Sequence, residues 1–157
     1  MSSSEYQPSF VEKLVYLRQK PLIGKVAYYM LVLFGADIPR SVKIGKQLRL
    51  QHWGIGVVIH NLATIGDRVN IFNGVTIGRA DAYRKGGTKF VGIEIEDDVM
   101  LGSGCKILCK EGTLRIGKGT SIGANAVLLQ STGEYEIWVG APARCVGKRD
   151  PEDINQQ

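Results

Sequence analysis

The chain has 157 residues, which is enough for one domain with its own core and too few for two full-size domains. Its 20 Lys and Arg residues exceed its 15 Asp and Glu residues, and the formal net charge of +5 suits an anionic partner. The cations are scattered without a recognition helix or an aromatic RNA-binding signature, so we expect no nucleic acid partner. Three cysteines, an odd number without a CxxC pair, predict reduced thiols and a cytoplasmic protein.

The N-terminal region, residues 1–36, shows apolar residues at helical spacing on both sides of Pro21. We predict two short helices that cap the open end of the following domain. The run Val26–Ala36 is too short to cross a bilayer as a helix, so we expect it to pack, with contact to a membrane surface as the alternative. The apolar positions are Phe10, Leu14, Leu17, Val26, Tyr29, Met30 and Leu33.

Residues 37–148 contain aliphatic side chains that recur mostly every six residues, and a glycine often follows the aliphatic residue. Apolar residues recur every three or four positions in an amphipathic helix and every second position in a hairpin strand. A spacing of six residues instead fits a short strand, a sharp turn and another strand. The pattern predicts a β-helix with three sides per coil. The repeating positions are Ile38, Ile44, Leu50, Ile59, Ile65, Ile71, Ile77, Ile95, Leu101, Ile107, Ile116, Ile122 and Leu128.

The repeat is interrupted in a few places. Two steps of nine residues, from Leu50 to Ile59 and from Ile107 to Ile116, indicate short bulges at corners. The step from Ile77 to Ile95 contains a polar, Gly-containing insert, 78–94, which predicts one extended loop, with two irregular hexapeptides as the alternative. Residues 149–157 are expected to form a polar, mobile C-terminal tail.

Both histidines lie in the segment LQHWGIGVVIHN, residues 50–61. Asp37 precedes the first side of the first coil and His52 follows its third side, so both are expected at one edge, on coils separated by about 4.8 Å. A carboxylate there would orient the imidazole as a general base, although a corner histidine bonded to a backbone carbonyl is an equal alternative. His60 is expected to pack, and two histidines are too few for a metal site.

Several segments together resemble the serine acetyltransferase branch of the hexapeptide-repeat acyltransferases, which includes sugar and polysaccharide O-acetyltransferases. They are GADIPRSVKIG, LQHWGIGVVI, IFNGVTIG, DDVMLGSGCKIL, RIGKGTSIGANAVLL and WVGAPARCVGK, spread over about residues 37–148. The resemblance implies a left-handed parallel β-helix, a homotrimer with active sites between subunits, and acetyl-CoA as co-substrate without a metal. It also implies His52 as catalytic base and Asp37 as its orienting acid.

The resemblance further places the cofactor beside small residues and two C-terminal cations. The family motifs match at Gly78, Arg79, Ser103, Gly104 and Ala124 for the pantetheine arm, and Lys148 and Arg149 are candidates for the CoA phosphates. These glycines and Ala124 have an alternative role in turning the coil, and the two cations have an alternative as a solvated tail. The thiols are expected in the core, which disfavours a cysteine acyl-enzyme.

The acceptor is predicted from departures from the family pattern. Serine acetyltransferases carry an acidic residue before the catalytic histidine and an Arg-His pair near the loop, where this chain has Gln51 and Val91-Gly92. We therefore expect a sugar hydroxyl as acceptor, with serine O-acetylation and a non-catalytic β-helix scaffold as alternatives. Residues expected to contact the acceptor are Gln51, Trp53, Tyr83, Arg84 and Lys85.

Overall fold

The computed structural model describes residues 6–81, 83 and 89–156, with Asn155 and Gln156 described by their backbone alone. Two α-helices come first, α1 (Phe10–Leu17) and α2 (Gly24–Leu33). A capping box begins α1, in which the Ser9 hydroxyl accepts from the Glu12 N–H and the Glu12 carboxylate accepts from the Ser9 N–H. The rest of the described chain is mainly β-structure.

The first twelve strands follow one another around three sheets in rotation and pair in parallel, so each set of three strands completes one coil. The first sheet holds β1 (Lys43–Ile44), β4 (Ala63–Ile65), β7 (Phe90–Ile95) and β10 (Gly112–Ile116). The second sheet holds β2 (Arg49–Leu50), β5 (Asn70–Ile71), β8 (Met100–Leu101), β11 (Ser121–Ile122), β13 (Glu136–Gly140) and β14 (Ala143–Lys148). The third sheet holds β3 (Val58–Ile59), β6 (Thr76–Arg79), β9 (Lys106–Cys109) and β12 (Val127–Leu128).

The repeating aliphatic residues stack on one another in register, which confirms the predicted three-sided parallel coil. In the second sheet Leu50 pairs with Ile71, Ile71 with Leu101, and Leu101 with Ile122. All of the thirteen repeating positions are buried except Ile44, which is partly buried. Burying one aliphatic side chain contributes about 1.5–3 kcal/mol, so this continuous stack is the main source of the fold's stability.

The edge where the second sheet passes into the third, called here the second–third edge, turns on a column of residues with left-handed backbone. Gly56, Gly74, Gly104 and Asn125 have φ values between 55° and 74° and lie on successive coils. A Cβ on Gly74 would lie 3.5 Å from the Gly104 Cα, and one on Gly104 would overlap the Asn125 side chain. Glycine is therefore required at Gly104 for both its backbone conformation and the close approach of the next coil.

Both helices lie against the first coil and are fixed to it by buried polar groups. The Arg18 guanidinium donates to backbone carbonyls that include Ile38 at 3.2 Å and Val42 at 2.6 Å. Burial lowers the pKa of Arg18 to about 10. The Glu12 carboxylate accepts from the Leu50 N–H at 2.7 Å, two residues before His52. These bonds connect α1 directly to the turn that carries the candidate base.

The helices present different faces to the coil from those expected. Val11, Leu14 and Val15 of α1 and Ala27 and Leu31 of α2 are buried. By contrast, expected packing residues are exposed: Phe10, Leu17, Val26, Tyr29 and Leu33. Apolar residues occur nearly all round α2, so spacing could not identify the buried face.

None of the helices in the described part of the chain is long and apolar enough to span a membrane.

Two boundaries also differ from the expectation. The insert is shorter than 78–94, because Gly78 and Arg79 end β6 and Phe90 begins β7, which pairs with β4 and β10. At the C-terminus the repeat extends to Trp138, which pairs in parallel with Ile122, and β14 then returns antiparallel to β13. Within the segment expected to be a polar tail, Pro151–Gln156 form a 3₁₀ helix.

Candidate active site

His52 lies in the 3₁₀ turn Gln51–Gly54, at the second–third edge, with its side chain exposed. Its backbone is left-handed, with φ 52° and ψ 40°, and Trp53 follows with φ 61° and ψ 13°. Such a conformation costs a non-glycine residue roughly 1–2 kcal/mol. Two consecutive strained residues at an exposed imidazole are typical of a functional site, where the surrounding structure holds a side chain outward.

Asp37 lies at the same edge on the neighbouring coil. It forms a parallel bridge with Val58, and its N–H donates to the Val57 carbonyl at 2.8 Å. The turn that carries His52 ends at Gly54, four residues before Val58.

The Asp37 carboxylate, however, accepts a hydrogen bond from the Tyr28 hydroxyl of α2 at 3.0 Å. This bond raises the pKa of Tyr28. Across the described residues, no hydrogen bond or ion pair joins Asp37 to His52. Catalytic hydrogen bonds often form only with substrate bound, so the dyad stays a prediction. Sequence spacing gave no signal for Tyr28.

His60 is packed, which is the role expected for it. Its ring meets Phe90 edge-on at 4.9 Å between centroids, and its Nδ1 accepts from the Leu62 N–H at 3.1 Å. Burial, with a smaller effect from the Arg79 cation, lowers the pKa of His60. An imidazole held neutral with one nitrogen already bonded is poorly placed to serve an external substrate.

The predicted acceptor residues are only partly brought together. Gln51 and Trp53 flank His52 in the same turn, and the Trp53 indole is 55% exposed with one side near the Phe34 ring, 5.9 Å between centroids. Tyr83 is exposed on the insert. The predictions for Arg84 and Lys85 lie outside the described residues.

Small residues recur along the second–third edge, on the coils that follow the one carrying His52. Ser103, Gly104 and Ala124 all lie at this edge, and the Ser103 hydroxyl donates to the Asn73 side chain at 3.0 Å. Gly78 lies further along β6, and a Cβ placed on it would meet no atom within 4 Å. The surface at Gly78 is therefore open, and the use of these residues for the pantetheine arm stays a prediction.

Two of the three predicted cofactor cations, Arg79 and Arg149, bond to groups of the same chain. The Arg79 Nε donates to Asp81 at 2.8 Å. The Arg149 guanidinium donates to the Gly119 carbonyl at 3.2 Å, at the edge between the first and second sheets, and exposed Lys148 ends β14 nearby. Within one chain these groups therefore lie away from the His52 edge, and their role in cofactor binding stays a prediction.

The corner glycines do not offer free donors for an oxyanion. The N–H of Gly56 donates to the Gly35 carbonyl, that of Gly74 to Ile55, and that of Gly104 to Asn73, at 2.7–2.8 Å. A donor for a developing oxyanion must come from another group. Cys105 and Cys109 are buried, and burial raises the pKa of the Cys105 thiol to about 12. Within the described ranges no group of His, Cys, Asp or Glu suits a metal ion.

No protein-family model matches the chain. Among curated proteins, a serine acetyltransferase of Staphylococcus aureus is 41% identical over 112 residues, which are 71% of this chain and 49% of the relative. A serine acetyltransferase of Bacillus licheniformis is 35% identical over 147 residues, 91% of this chain and 64% of the relative. The chain thus spans about half to two thirds of the length of these relatives.

Solved structures give the same result. A serine acetyltransferase of Brucella abortus in complex with coenzyme A superposes with a TM-score of 0.72 at 27% identity, covering 88% of this chain and 55% of that one. The enzyme of Vibrio cholerae gives 0.70 at 28% identity, covering 92% and 54%. The coil and these matches together show a hexapeptide-repeat protein of the acyltransferase family. Within that family, the chain belongs to the serine acetyltransferase-like branch, as its motifs predicted.

Proposed function

We propose that the protein is an acetyl-CoA-dependent O-acetyltransferase with His52 as its general base. The observation that carries this proposal is the exposed imidazole in a strained turn, beside Asp37 and an edge of small residues. The names of its relatives and the coenzyme A complex of a structural neighbour support the same chemistry. Residues 37–148 form the acetyltransferase domain in this proposal, residues 1–36 the cap and 149–157 the C-terminal segment.

In the proposed reaction, the His52 imidazole removes the proton from an acceptor hydroxyl, and the oxygen attacks the acetyl carbonyl. The imidazolium then returns the proton to the departing thiolate, so the products are the acetyl ester and free coenzyme A. Asp37 faces the imidazole during this step and stabilises its positive charge. Tyr28 fixes the carboxylate from α2. Gly78, Ser103 and Ala124 line the path of the pantetheine arm.

For the acceptor, the comparisons favour serine over the sugar expected from the sequence, because the matched relatives are serine acetyltransferases. The sugar hydroxyl remains the second candidate on one specific observation. Gln51 and Val91-Gly92 carry no charge that could pair with the charged groups of a zwitterion such as serine. Each hydrogen bond to a charged group contributes about 1.5–3 kcal/mol. The exposed Trp53 face beside His52 suits a sugar ring.

The left-handed winding and the homotrimer with sites between subunits, both implied by the motifs, are part of this proposal, as is the cytoplasmic location expected from the cysteines. A trimer would bring cations of one subunit to the small-residue edge of the next. Lys148 and Arg149 lie on a different edge from His52 within one chain, so their use for CoA phosphates requires such an arrangement.

The direct test measures thiol release from acetyl-CoA with serine or oligosaccharides as acceptor. Removing a general base lowers the rate by about 10²–10⁴-fold, which is the expected effect of His52→Ala. His60→Gln is the matched control, since it alters the other histidine, and should remain active. Transfer by His52→Ala near the original rate excludes the assigned base. A wild-type chain that consumes no acetyl-CoA with any acceptor favours the scaffold alternative.

A further inference from the structure

The outer face of α2 and the turn before it forms a continuous exposed apolar surface. Leu22 and Leu33 are 92% and 83% exposed, so the two ends of this surface are almost fully open to solvent. Within the helix, Val26, Tyr29 and Leu33 follow one side at steps of three and four residues. The α2 apolar face consists of Leu22, Ile23, Val26, Tyr29, Val32 and Leu33.

The charges around this face have one sign. Between Glu12 and Asp37 the chain contains no acidic residue, whereas Lys13, Lys20 and Lys25 are all exposed. The remaining cation of the segment, Arg18, is buried against backbone carbonyls and is unavailable to a partner. An apolar stripe bordered by lysines combines the two attractions that hold a helix at an anionic lipid surface.

We propose that the α2 apolar face binds the surface of a membrane that contains anionic lipids. Aliphatic side chains enter the boundary between headgroups and acyl chains, and Lys20 and Lys25 contact lipid phosphates. A protein partner fits less well, because lysine is depleted at protein interfaces and this face offers few hydrogen-bonding groups to specify a partner.

This face continues toward the candidate active site through neighbouring aromatic rings in edge-on and tilted contact. The Phe34 ring, at the end of α2, lies 5.9 Å from the Phe10 ring and 5.9 Å from the Trp53 ring. Trp53 adjoins His52 in the turn. Lipid binding through α2 therefore holds the second–third edge close to the membrane surface, whichever acceptor the enzyme uses.

The test is co-sedimentation of the full chain with vesicles, without acetyl-CoA, so that its outcome is independent of the proposed activity. We expect binding to phosphatidylglycerol-rich vesicles, weaker binding to phosphatidylcholine vesicles, and loss with added salt. Leu22→Ser with Leu33→Ser should weaken binding at least about tenfold, because each leucine loses most of its apolar burial. Lys20→Gln with Lys25→Gln should remove the preference for anionic lipid, a loss of roughly tenfold.

The matched control is Leu62→Ser with Leu129→Ser, two exposed leucines of the β-coil, which should bind vesicles like the wild type. Circular dichroism establishes that each variant is folded. The proposal is overturned if the wild type binds neither vesicle, or if the Leu22 and Leu33 variant binds as well as the control. It is also overturned if that variant sediments as a smaller assembly, because the face then joins copies of this chain.

Discussion

Replacing Tyr28 by Phe tests whether α2 takes part in the proposed chemistry. The change removes one hydroxyl, which donates to Asp37 at 3.0 Å. A hydrogen bond to a charged group contributes about 1.5–3 kcal/mol when short and buried. This one is at the long end for O–H···O and only partly buried, so we expect a loss of about 1 kcal/mol, which is about a fivefold fall in kcat. The assay is thiol release from acetyl-CoA at saturating substrates.

Tyr29→Phe is the matched control, because Tyr29 is the next residue of the same helix and its ring is 68% exposed. It should keep the wild-type kcat. A double-mutant cycle with Asp37→Asn identifies the route of the effect, since Tyr28→Phe should change little once the carboxylate is gone. The reasoning is refuted if Tyr28→Phe and Tyr29→Phe behave alike, or if the fivefold fall persists in the Asp37→Asn background.

Three further predictions concern other residues. Gly78→Ala should leave thermal stability unchanged, because the new Cβ meets nothing within 4 Å, but should raise the KM for acetyl-CoA; Gly147→Ala, equally unobstructed, should leave KM unchanged. Because the pKa of His60 is lowered in the folded chain, the unfolded chain binds a proton at this residue more readily than the folded chain as the pH falls. Stability should therefore fall as the pH drops below about 6.5, and urea titrations of His60→Gln should lack this component. In a native thiol titration, exposed Cys145 should react first and Cys105 only on unfolding; rapid modification of Cys105 would contradict its burial.

The coil could be predicted from the chain alone because its signal is local and repeated. Each turn of the coil must bring an aliphatic side chain inward, so residues such as Ile71, Leu101 and Ile122 recur at fixed spacing and later pair in register. The same spacing predicts that Asp37 and His52 share an edge. Periodicity thus determines both the architecture and the approximate position of the candidate base.

Only the tertiary structure determines which side of an apolar helix faces inward and which partner a polar group takes. Val26, Tyr29 and Leu33 have the spacing of a packed face, yet Ala27 and Leu31 are the residues that are buried. A periodic pattern does not distinguish small apolar residues from large ones. Shape complementarity with the neighbouring surface decides which of them is buried.

The hydrogen bond from Tyr28 to Asp37 and the left-handed backbone of His52 depend on how α2 and the first coil meet. Arg149 likewise donates to the carbonyl of Gly119, thirty residues earlier in the chain. The repeating coil, and the edge on which Asp37 and His52 are predicted to lie, follow from local spacing, because each repeat specifies its own turn. The contacts between the helices and the coil depend on packing in the folded chain. A local sequence pattern cannot predict them, because the residues involved are far apart in the sequence.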